Sequence, residues 1–201
     1  MAVEYGANIV TDGLVLCLDA GNKKSYPGSG STWYDISGNG NHHTLVGNPT
    51  YSSGALTFDG STQGVLLNSA LNNLTTVGTV VLWYKTSDIQ ELWVMGNNST
   101  SWYLSASNNN TYYHSNCGSP TNYVDLTAVS NPYASGYKNN AYHMWEAKYV
   151  NFTSWTRFDW FSYPSGWQLG GTVTNIMVYN RVLSDADSKQ NFTALRNRHG
   201  V

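Results

Sequence analysis

The chain has 201 residues and a mass of 22.2 kDa, enough to bury a substantial core in one domain. Only 11% of its residues are charged, against about 25% in an average soluble domain, while 14% are aromatic and 19 are glycine, a turn-rich composition that points to an all-β protein. Ten Lys and Arg against twelve Asp and Glu leave a net charge of −2 and a pI near 6.2, which argues against binding to nucleic acid or to anionic membranes.

The opening MAVEYGANIV carries Glu4 and lacks both a basic region and an apolar run, so no secretory signal peptide is expected. The longest apolar stretch, GTVVLWY at 78–84, falls far short of the roughly 18 residues that span a bilayer. In chain order, strands are expected over 14–18, 55–58, 64–67, 79–84, 91–95, 101–106, 143–150, 155–161 and 172–179, separated by Gly and Asn turns. The segment 143–150 alternates with a period of two. His143, Trp145, Ala147 and Tyr149 fall on one face and Met144, Glu146, Lys148 and Val150 on the other, so one face should meet the core and the other a wetter surface. Glu146 and Lys148 then form a same-face ion pair. Ser184-Asp185-Ala186-Asp187 reads as a capping box opening a helix over 185–197, with Arg196 and Arg198 complementing the dipole at its end. Cys17 lies in the apolar run LVLCL and reads as a buried free thiol, and Cys117 lies in a turn. The two cysteines make neither a disulfide framework nor a metal cluster.

Residues Gly13 to Asn22, then Ser25, Tyr26, Gly28, Gly30, Trp33, Asp35 and the run Ser37-Gly-Asn-Gly-Asn41, resemble the opening of laminin-G-like, concanavalin A-like modules of tailed-bacteriophage structural proteins. Leu56-Thr-Phe-Asp-Gly60 resembles the next strand and turn of that family. Gly171 to Ser184, with Asn191, Phe192, Ala194 and Arg198-His-Gly200, resembles its closing strand and helix. The resemblance implies one laminin-G-like domain over 1–201: a concanavalin A-like jelly-roll β-sandwich of two antiparallel sheets with a short C-terminal helix. Physical roles follow without a ligand. Gly21, Gly38, Gly40 and Gly60 suit positive φ, Asn39 and Asn41 tolerate left-handed backbone, Asp35 and Asp59 accept backbone N–H bonds, and Trp33 plugs the core edge. Where the family continues from Asp-Gly toward an Asp-Tyr pair, this chain has Ser61-Thr-Gln-Gly64, so a carboxylate that serves calcium in relatives is missing.

The concanavalin A-like fold also includes glucanases, whose retaining chemistry needs two carboxylates about 5 Å apart. Neither Glu91 nor Glu146 has an acidic neighbour two residues on, so no single strand delivers such a pair. No Gly-x-Ser-x-Gly elbow is present, Cys117 has only His114 near it in sequence, and His42-His43 reads as a pair of solvated loop residues. No catalytic residue, metal or cofactor is therefore expected.

Between Trp83 and Trp167 lie 20 of the 28 aromatic residues, interleaved with Asn-rich turns. Flat aromatic faces beside amide side chains suit sugar rings, and the same residue types suit protein contacts. Candidate contact residues for either partner are Trp93, Trp102, Tyr103, Tyr112, Tyr113, Trp155, Trp160 and Trp167. Taken with the resemblance, the expectation is a non-enzymatic virion protein, made in the host cytoplasm. It would decorate a capsid or build a neck, tail or fibre through contacts with major capsid or tail subunits, or with copies of itself. The alternative is a carbohydrate-binding module that attaches to a glycan on the host surface. Neither nucleic acid nor membrane is an expected partner.

Overall fold

The strand-forming runs of the sequence assemble into two facing antiparallel sheets in a computed structural model that describes residues 8–67, 69–87, 92–95, 103–106, 112–132, 135–161 and 169–201. The elements in chain order are β1 (Leu14–Asp19), β2 (Thr32–Trp33), β3 (His43–Val46), β4 (Thr50–Ser52), β5 (Ala55–Asp59), β6 (Gly64–Leu67), β7 (Val77–Lys85) and β8 (Leu92–Met95). They continue with β9 (Tyr103–Ala106), β10 (Tyr112–Ser115), β11 (Thr121–Val124), β12 (Thr127–Val129), β13 (Tyr142–Asn151), β14 (Phe158–Trp160), β15 (Gly170–Tyr179) and helix α1 (Asp185–His199). Each expected strand overlaps one of these. The segment 155–161 is strand only from Phe158, and the short β2, β3, β4, β10, β11 and β12 were not expected, because they lack the apolar run that marks the equally short β6 and β8.

One sheet runs β12-β11-β13-β7-β15-β5-β4. The ten-residue β15 serves two partners on one edge, Gly170–Val173 against β5 and Asn175–Tyr179 against β1. The other sheet runs β10-β9-β8-β14-β6-β3-β2. Between the sheets lies the main core, built from Leu16, Leu18, Leu56, Phe58, Val65, Val80, Leu82, Trp145, Phe158, Trp160 and Ile176. Trp33 closes its edge as expected, fully buried.

The eight-stranded sheet is covered on its other face too. There Cys17, Val81, Trp83, Met144, Met177 and Tyr179 form a second apolar cluster with Leu195 of α1. This is why β7 reads as an unbroken apolar run: Val80, Leu82 and Tyr84 face the first core, and Val81 and Trp83 the second. It also corrects the reading of β13. Glu146 and Lys148 do share a face and pair at 3.4 Å, but that face lies under the helix and both side chains are buried. The period of two breaks at Tyr149, which takes φ +64 in a bulge between Lys148 and Val150. Val150 turns into the main core, and Tyr149 is pushed out to 54% exposure.

Helix α1 begins at the expected capping box. Ser184 Oγ accepts from the Asp187 N–H (3.2 Å), and the Asp187 carboxylate accepts from the Ser184 N–H (2.9 Å). The Arg181 guanidinium joins at 2.9 Å and, with Ser184, holds the Asp187 carboxyl well below the usual range. The helix runs two residues past the expected end, to His199, and Gly200 at φ +71 closes it. His199 lies between the Trp83 and Tyr142 rings, at 4.5 and 4.6 Å.

The N-terminal motif is a lace of hydrogen bonds. Asp35 accepts from the backbone N–H groups of Cys17, Ser37 and Asn41, each at 2.9 Å. Asn39 and Asn41 donate to Leu14 and Val15 carbonyls at 3.1 and 2.7 Å. Asp59 accepts from the N–H groups of Ser61, Thr62 and Gln63, which holds its carboxyl well below its usual pKa. Gly38, Gly40 and Gly60 have positive φ as expected; Gly21, Asn39 and Asn41 do not. Cys17 is a buried free thiol, and burial pushes it up to about 12. Cys117 lies in the expected turn, between Asn116 and Gly118 of positive φ, and its side chain is fully buried in the core.

Candidate functional site

The outer face of the seven-stranded sheet bears no helix among the described residues. Strand alternation sorts its residues: Leu45, Val65, Phe158 and Trp160 point into the core, while Thr44, Leu66 and Asp159, cross-strand neighbours of one another, point outward. Beside them lies a depression of about 540 Å³, lined by His42, Thr44, Val46, Leu66, Leu67 and Ser69. Its lining mixes apolar Val46, Leu66 and Leu67 with polar His42, Thr44 and Ser69, the composition of a small-molecule site.

Its charged partners come from β14 and the residue before it. Asp159 is only 4% exposed, and its carboxylate takes the Arg157 guanidinium and, at 3.2 Å, the Leu67 N–H. Burial raises its pKa despite Arg157. Arg157 Nε is buried and has no hydrogen-bond partner, an unused donor beneath this face. His42 contributes a second donor. Its Nδ1 accepts the Asp35 N–H at 3.0 Å, so the neutral ring carries its proton on Nε2, and the exposed ring stands edge-on to Tyr34 at 5.3 Å.

Backbone register extends this row. Asp159 pairs with Met95, Met95 with Tyr103, and Trp93 with Ser105, which pairs with Tyr113. Positions 93, 103 and 113 thus carry the strand parity of Asp159 and Leu66. Position 112 pairs with Ala106, itself opposite Leu92, and carries the parity of Trp160. Trp102 and Trp167 lie outside the described residues.

Two candidate contact residues are corrected. Trp160 is fully buried and donates through Nε1 to His43 Nε2 at 3.2 Å. Trp155 is 4% exposed and packs on Phe152 and Phe158, at 5.2 and 4.8 Å. Both are core because the sandwich uses its aromatics to fill the space between sheets. His43 is likewise no solvated loop residue. It is buried at the start of β3, and burial lowers it to about 4. Arg157 and Asp159 escaped the sequence reading, although Arg157-Phe-Asp-Trp160 does alternate charge with aromatic; His42 is exposed, as a solvated loop residue should be.

No protein-family model matches the chain, and no curated protein matches it in sequence. Solved structures do match in fold. The Trypanosoma rangeli sialidase, solved with the inhibitor DANA, is 17% identical with a TM-score of 0.61, over 98% of this chain and 35% of that one. Domain 4 of AbnA, an extracellular GH43 arabinanase of Geobacillus stearothermophilus, solved with arabinotriose, is 14% identical with a TM-score of 0.59, over 90% of this chain and 98% of that domain. The ligand-binding domain of botulinum neurotoxin serotype D, solved with N-acetylneuraminic acid, is 12% identical with a TM-score of 0.54, over 91% and 50%. The chain thus spans about a third of the sialidase and half of the toxin domain. The shared fold is the two-sheet β-sandwich.

Proposed function

We propose that this chain is a non-enzymatic carbohydrate-binding module whose site is the outer face of the seven-stranded sheet. The observation that carries the proposal is the Arg157–Asp159 pair, with its unpartnered guanidinium donor, set beside an open depression and in register with aromatic positions 93 and 103. Sugar recognition needs directed donors and acceptors for hydroxyls and apolar or aromatic surface for the ring faces, and this face offers both. Similar folds solved with arabinotriose and with N-acetylneuraminic acid support the same reading over assembly through protein contacts. Catalysis is not part of the proposal. Asp35 and Asp59 are occupied by backbone N–H groups, and Glu146 is paired with Lys148.

The terminal motifs, with their resemblance to tailed-phage modules, support a setting on a virion, where such a module would attach the particle to a host-surface glycan. A glycan array with the purified chain tests the site. Saturable binding should appear, and should be lost in Leu66→Arg, which fills the depression without touching the core, and in Trp93→Ala. Binding unchanged in both variants would move the site elsewhere. Absence of any glycan ligand would return the chain to a protein-contact role.

A further inference from the structure

On the opposite side of the molecule, where the first turn of α1 crosses β13 and the β11–β12 hairpin, a second pocket of about 250 Å³ opens among Tyr123, Leu126, Glu146, Lys148, Asp185 and Ser188. Its floor holds an unfinished polar network. Glu146 is fully buried. Its Oε1 accepts from Ser188 Oγ at 2.8 Å and faces Lys148 Nζ at 3.4 Å, but Oε2 has no partner. A buried carboxylate oxygen left unpaired is costly, and such groups in a folded protein call for a donor. Lys148 cannot supply it. Its ammonium is shared among Glu146 Oε1, Asp185 Oδ1 at 3.1 Å, and the Tyr123 ring at 4.8 Å.

We propose that this pocket is a second ligand site, independent of the outer face of the other sheet, and that it takes a neutral sugar ring, with one ring hydroxyl donating to Glu146 Oε2. Charge selects the class. The lining carries two cations, Lys148 and Lys189, and two anions, Glu146 and Asp185, so an anionic ligand would meet the buried carboxylate and a cationic one the buried ammonium. A neutral polyol meets neither penalty. Its hydroxyls donate to Glu146 and Asp185 and accept from Lys189, while its ring carbons find Leu126, one of the few large apolar side chains exposed among the described residues.

The test is amide NMR titration of the full chain with the methyl glycosides of arabinose, glucose and galactose, and with N-acetylneuraminic acid as the anionic probe. At least one neutral glycoside should give saturable shifts at Tyr123, Leu126 and Ser188. Glu146→Gln, which turns the orphan acceptor into an amide donor or crowds it with one, should weaken binding about tenfold or more. Because that variant disturbs a buried ion pair, Leu126→Gly is the second probe. It removes the apolar wall at a hairpin turn and should also weaken binding. Leu66→Arg, on the other face, should leave these shifts intact, so failure here and failure of the outer-face site are distinguishable. The proposal is overturned if no neutral glycoside shifts these residues, if both pocket variants bind as the parent does, or if only the anionic sugar binds.

Discussion

The Trp160 indole donates to His43 Nε2 at 3.2 Å while His43 Nδ1 lies 2.9 Å from the Asn41 carbonyl, so one buried imidazole ties β14 to the N-terminal motif. Those two partners fix its tautomer, since only a ring protonated at Nδ1 and bare at Nε2 satisfies both. Protonation would set Nε2–H against the indole N–H.

The first prediction is a pH dependence. Burial lowers His43 to about 4, and it lowers His199, packed against the Trp83 and Tyr142 rings, to about 4 as well. The unfolded chain binds these protons near pH 6.5 and the folded chain does not, so their contribution is complete above that value and is lost as the pH falls toward about 4. For His43 the loss is at most about 3 kcal/mol. NMR should show both imidazoles still neutral at about pH 5, and the melting temperature should fall across this window. Titration of either ring near 6.5 would refute the assignment.

A second prediction concerns the helix. Leu195 is 5% exposed against Trp83, Met144 and Met177, and buried Asn191 accepts the Val10 N–H at 2.8 Å. Leu195→Ala should cost about 2–4 kcal/mol by the usual cavity penalty, read from denaturant midpoints. Deleting 185–201 should expose the cluster and leave the chain insoluble or melting far lower. An unchanged cooperative melt would make α1 an appendage.

The third prediction is that the Asp59 turn needs no metal. Its carboxylate is occupied by three backbone N–H groups and the Thr62 hydroxyl, the last at 2.7 Å. Chelation should leave the melting temperature unchanged, whereas Asp59→Ala should lower stability by about 1 kcal/mol, as loss of a cap does. A melting temperature that falls on adding EDTA and recovers with calcium would overturn this.

How far the sequence revealed the molecule depended on period and length. The strands around Val81 and Met177, the capping box at Ser184 and Asp187, and the turn role of Asp59 were legible because each is local. What was not legible is what covers a face. Met144, Glu146 and Lys148 look like a wet face in sequence, yet α1, some forty residues later, lies over them. Trp155 and Trp160 likewise look like contact residues until strand parity, for Trp160, and packing on Phe152 and Phe158, for Trp155, assign them to the core. The outward Arg157–Asp159 pair became visible only once β14 had a partner on each side.

The last prediction lies at the β11–β12 hairpin. Val124 pairs with Thr127, so the turn has two residues, Asp125 and Leu126, and both have positive φ, at 48° and 68°. Turns of this kind favour Asn or Asp followed by Gly. Asp125 fits, since its carboxylate also accepts the Met144 N–H at 2.9 Å and contacts His143 at 2.6 Å. Leu126 does not. A branched side chain in left-handed backbone costs about 1–2 kcal/mol, and at 36% exposure this one recovers only part of that by packing. Leu126→Gly should therefore leave the melting temperature unchanged or raise it, with the unfolded glycine's extra freedom offsetting part of the relief. If it does so while weakening neutral-glycoside binding in the pocket that Leu126 lines, the strained leucine is retained for the ligand and not for the fold. A drop in stability greater than about 1 kcal/mol would instead assign Leu126 a packing role that outweighs its backbone strain.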